Sequence, residues 1–157
     1  MTNEVQLLIE MLEKKEGILQ QILKKSKAQL ELSGEDCLDV EKFDALVDEK
    51  DILLQDMEKV DETFDSTFQK IRDELFDQLD HYKAEIQMLQ KKIVRAVDLG
   101  SEIHTTEMRT KDQLSAAILR SKKAFSQKRS TMKAAVDYYK ASNNLKFVDS
   151  YFMDQKK

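Results

Sequence analysis

Across 157 residues the chain holds no proline and only three glycines, Gly17, Gly34 and Gly100. Little in it therefore interrupts a helix, since interior proline costs about 3 kcal/mol and interior glycine roughly 1 kcal/mol relative to alanine. One cysteine, Cys37, excludes an internal disulfide, and no apolar run approaches the ~20 residues that cross a bilayer.

The opening MTNEVQLLIEMLEKK lacks the basic start and apolar core of a signal peptide, so a soluble, cytoplasmic protein is expected. Charged residues make up 36% of the chain, above the globular share of about 25%. With helical periodicity, such enrichment points to long helices or coiled coil. The net charge of −4 is unevenly spread, at −10 over residues 1–100 and +6 over residues 101–157. The two halves are therefore expected to meet different things.

The first segment spans about 3–33. Val5, Leu8, Leu12, Leu19, Ile22 and Leu23 recur at spacings of three and four, as one face of a helix requires. Thr2 or Asn3 is placed to cap it, and Gly34 to end it in a left-handed conformation. Asp39 then reads as the N-cap of a second helix over about 39–76, with Glu41 in its first turn. Its stripe comprises Phe43, Leu46, Val47, Leu53, Leu54, Met57, Val60, Phe64, Phe68, Ile71 and Leu75. Lys50 interrupts the stripe, and its alkyl stem can lie along the seam.

Periodicity alone does not mark where the second helix ends, because Tyr82, Ile86, Leu89, Ile93 and Val97 keep its phase. Length does: the first helix has only about 31 residues to offer as a partner. A turn is therefore expected within 76–82, where Asp77 and Asp80 could cap a new start. A third helix follows over about 83–140, with a possible kink at Gly100 and Ser101. Its apolar stripe continues through Leu114, Ile118, Phe125, Met132, Val136 and Tyr139. At nearly twice the length of the first, it should leave its second half without a helix of this chain to cover it. The tail over 141–157 holds Ser142, Asn143 and Asn144 and then scattered aromatics, and is expected to be mobile. The expected fold is all-α: one helical domain over 1–140, an elongated antiparallel three-helix bundle or coiled coil, with a flexible tail.

Chemistry is scarce. His81 and His104 lack the Glu-x-x-His pairing of a di-iron bundle, and Cys37 stands alone, so no metal site and no cofactor are expected. The glycines are too scattered for a phosphate loop, and no catalytic residues are assigned. The stretch 109–133 carries eight Lys/Arg against Asp112 alone. Such a helix can meet nucleic acid phosphates, an anionic membrane surface, an acidic partner or the acidic helices of its own chain. Aromatics are too few there for base stacking, and neither nucleic acid binding nor membrane insertion is favoured. The apolar stripe from Leu114 to Tyr139 is as compatible with ordinary core or a homodimer seam as with a partner groove. Met57, Met88, Met108 and Met132 add adaptable surface.

The segment LDVEKFDALVDEKDILLQDMEKVDETF over 38–64 resembles the FlgN family of flagellar export chaperones. Asp39, Phe43, Leu46, Glu49, Lys50, Leu53 and Leu54 match that family's second-helix pattern, and Leu8, Leu12, Glu16 and Leu19 match its opening helix. Tyr138, Tyr139 and Lys140, with the ending Ser150 to Asp154, look like members from anaerobic Gram-positive bacteria. Where the family often opens its third helix with an Asn-rich stretch, this chain reads GSEIHTTEMRTKDQL, without asparagine.

The resemblance implies binding, in the cytoplasm, to the C-terminal helices of hook-associated proteins of the FlgK and FlgL type. It also implies protection of these clients from premature assembly and their delivery to the flagellar type III export gate, with client binding in the C-terminal region. Leu114, Ile118, Phe125, Met132, Val136 and Tyr139 are then the expected client-facing residues. Arg120, Lys122, Lys123 and Lys128 would steer acidic client residues, and Phe147, Tyr151 and Phe152 could dock the tail. The alternatives are a self-associating coiled-coil protein, a basic-helix nucleic acid binder, or a chaperone of another flagellar client such as the filament cap protein.

Overall fold

The computed structural model describes residues 2–120, and the backbone alone at Thr2. Within them the chain is all-α: α1 (Thr2–Ser33), α2 (Val40–Asp77) and α3 (Lys83–Arg120). At 1.5 Å per residue the longer helices extend about 57 Å, while packed helices stand roughly 8–10 Å apart, so the bundle is elongated. The expected continuation of α3 to Lys140 and the tail over 141–157 lie outside the described residues.

The apolar stripes do what their spacing predicts. All six expected core positions of α1 are buried, as are Phe43, Val47, Met57, Phe64, Phe68, Ile71 and Leu75 of α2. Met57 is fully buried, so this methionine fills core instead of offering adaptable surface. Packing forms layers along the axis. Val5, Leu8 and Leu12 meet Phe64, Phe68, Ile71 and Leu75 of α2, Tyr82 of the turn before α3, and Leu89 and Ile93 of α3. Leu19, Ile22 and Leu23 meet Met57, Ala96, Leu99 and Ile103. Phe43, Val47 and Leu114 close the far end, with Leu32 and Leu38 beside them.

This order makes α1 antiparallel to α2 and parallel to α3. Ion pairs follow the same register. Lys15 meets Asp61 at 3.0 Å and Lys25 meets Glu49 at 3.1 Å between α1 and α2. Glu13 meets Lys92 at 3.3 Å and Glu16 meets Arg95 at 3.5 Å between α1 and α3. α1 packs closely on both neighbours, whereas α2 and α3 meet chiefly through side chains.

The connections depart in part from expectation. α1 already includes Thr2, so Asn3 sits inside the helix. It stops without a left-handed glycine: no glycine has positive φ among the described residues. Instead the Gly34 and Glu35 amides donate to the carbonyls of Glu31 and Leu32, both at 3.2 Å, tightening the last turn. What Gly34 provides is room, since a Cβ there would stand 3.3 Å from Oε1 of Gln113. Asp39 caps α2, its Oδ1 accepting the Lys42 amide at 3.1 Å. α2 ends at Asp77, within the expected turn, which is closed by backbone bonds from the Gln78 amide to Glu74 and from the Tyr82 amide to Gln78, both at 3.1 Å. α3 runs through Gly100 as one helix.

Candidate functional site

The far end of the bundle gathers most of what is chemically unusual. Between the middle apolar layer and the Phe43 layer, each helix places a polar residue on its inward stripe: Ser26 and Gln29 from α1, Lys50 from α2 and Glu107 from α3. The Lys50 side chain is 1% exposed and its Nζ lies 2.8 Å from Glu107 Oε1. The ammonium also donates to Gln29 Oε1 and, at 3.5 Å, to Ser26 Oγ. Gln29 in turn donates from Nε2 to the Phe43 carbonyl at 3.3 Å, tying α1 to α2. Thr106 and Thr110, buried beside Glu107, donate to the carbonyls of Glu102 and Thr106 one turn earlier.

The expectation that Lys50 lays its stem along the seam is thus corrected: the charged head itself is enclosed. Burial pushes its pKa down from 10.5 to about 8, and the neighbouring Glu107 carboxylate holds it from falling further. A single lysine in a stripe reads as a snorkelling side chain. The available signal was that Ser26, Gln29 and Glu107 continue the stripes of the other two helices at the same level.

Leu114 was expected on the client-facing stripe, but it is 2% exposed and packs with Phe43 and Val47. The reason is length: α1 reaches Ser33, whose Oγ lies 2.6 Å from Gln113 Oε1, so the hairpin of α1 and α2 still covers α3 at this level. The free part of the stripe begins one turn later. Ile118 is half-buried, Leu119 is 79% exposed and Arg120 is exposed. Phe125, Met132, Val136 and Tyr139 of the expected groove lie outside the described residues, as do Lys122, Lys123 and Lys128 and the tail residues Phe147, Tyr151 and Phe152. Met88 and Met108 are surface residues at 47% and 38% exposure. The 100–114 stretch, compared above with a helix opening, lies inside α3 and packs through Ile103 and Leu114.

His81 is exposed, with its ring edge-on to Tyr82 at 4.8 Å. Among the described residues no group of three His, Cys, Asp or Glu is placed to hold a metal ion, and no helix is long and apolar enough to cross a membrane. Cys37 is exposed in the loop between α1 and α2. No family model, no curated protein and no solved structure matches the chain. Fold and site together define an all-α three-helix bundle with a buried polar layer near the end from which α3 leads into the basic stretch.

Proposed function

We propose that the protein is a non-enzymatic, cytoplasmic export chaperone that captures the terminal helix of a flagellar client, hook-associated proteins of the FlgK and FlgL type being the clients the FlgN resemblance implies. The observation that carries it is where the core stops. Among the described residues the last core layer is at Leu114, yet in the sequence the apolar stripe continues through half-buried Ile118 into Phe125, Met132 and Val136, within a stretch rich in Lys and Arg. An apolar stripe that runs on past the reach of α1 and α2 is suited to helix-in-groove capture. Arg120, Lys122, Lys123 and Lys128 would steer acidic residues of the client, and the complex would be handed to the export gate.

The test is titration of the full chain with purified C-terminal segments of FlgK- and FlgL-type proteins. Saturable binding is expected, weakened tenfold or more by Phe125→Asp. Affinity unchanged within twofold in that variant places the groove elsewhere. No binding to either client, together with a tight dimer, turns the stripe into a self-association seam. Binding to nucleic acid alone, falling steeply with salt, makes the basic stretch a phosphate-binding surface.

A further inference from the structure

The buried polar layer takes no part in client capture as proposed above, and it sits where the bundle is held most weakly. Among the described residues the near cluster has twelve buried apolar side chains, the middle cluster seven and the far cluster three. We propose that the distal turns of α3, from Thr106 to Arg120, detach from the α1–α2 hairpin and reclose while the near and middle layers stay packed, transiently uncovering Phe43, Val47 and Leu114.

The polar contacts divide along this line. Lys50 is held to α1 by Gln29 and Ser26, and Gln29 also grips the Phe43 carbonyl, so the hairpin keeps its own ties when α3 leaves. Glu107 crosses from this group to α3, and Ser33–Gln113 is a further link at this level, with Gln113 exposed. Apolar side chains lose by meeting water, but a buried ammonium and carboxylate regain hydration. The Lys50–Glu107 layer therefore resists separation less than an apolar layer of the same size would. The covalent connection reinforces the asymmetry. At this end α1 and α2 are joined by the Gly34 loop, whereas α3 is joined to neither.

Native-state hydrogen exchange on the full chain tests this, together with the Lys50→Met/Glu107→Leu double variant. In the wild type, amides over 106–120 are expected to exchange at least tenfold faster than those over 86–99, and the double variant is expected to close most of that gap. Equal protection in the wild type, or a gap unchanged by the double variant, overturns the proposal. If the double variant loses its helical circular dichroism, thiol labelling of Val47→Cys against Met57→Cys, both with Cys37→Ser, reads the same opening. Modification of Val47→Cys at least tenfold faster supports it, and equal rates overturn it.

Discussion

Carrying an ammonium into the seam at Lys50 has a cost that its partners only partly offset. Desolvation is the largest influence on the group and Glu107 the main compensation. Removing one partner is worse than removing both, because the survivor keeps its desolvation and loses its counter-charge. Lys50→Met alone should therefore destabilise the bundle by about 3 kcal/mol, whereas Lys50→Met/Glu107→Leu should equal or exceed the wild type in urea unfolding. The pH dependence has a definite sign. The folded pKa is about 8 and the unfolded value 10.5, so between them the unfolded chain holds more protons. Raising the pH through this window favours folding, by at most about 3 kcal/mol from this group, and below pH 8 the full cost of the buried charge is present. Wild-type stability measured at pH 7.5 and pH 10 should therefore rise relative to that of the double variant, which carries neither group.

At the scale of the helix, α1 and α3 each contain a glycine that packing does not require. A Cβ added at Gly17 or at Gly100 would meet nothing within 4 Å, and neither has positive φ. Alanine relieves the conformational freedom that glycine loses in a helix interior, so each substitution should stabilise by about 0.5–1 kcal/mol, read as a raised Tm in thermal unfolding. Gly34 differs. The 3.3 Å approach of Gln113 means alanine there must displace that side chain, and Gly34→Ala should not share the gain.

For the whole molecule the decisive quantity is how far the hairpin reaches along α3. The far layer closes on Leu114, so a chain cut after residue 108 loses it and uncovers Phe43 and Val47. Burial of such side chains is worth about 1.5–3 kcal/mol each, and the cut chain should lose about 3–5 kcal/mol of stability relative to the full chain. A chain ending at Arg120 retains every core residue of the three clusters and should unfold at nearly the full-chain midpoint. Chemical denaturation of the three lengths checks both. Loss of partner binding in the 1–108 chain would thus report a damaged bundle as much as a missing groove, whereas loss in the 1–120 chain would assign binding to the residues beyond.

The helices themselves were legible in the chain because helical periodicity is a local property. Val5, Leu8 and Leu12, or Phe64, Phe68 and Ile71, declare a buried face without reference to any partner. The second turn, unmarked by glycine or proline, was legible from length, since a helix cannot stay buried past the end of its partner. Which residues share a layer depends instead on the register of three helices at once. The tertiary structure alone decided that Ser26, Gln29, Lys50 and Glu107 stand at one level and enclose a charge. It alone decided that Leu114 packs into the core where a free groove had been expected. A lysine on a stripe is compatible with snorkelling or enclosure, and a leucine on a stripe with core or groove. Only the position of the neighbouring helices determines whether water reaches them.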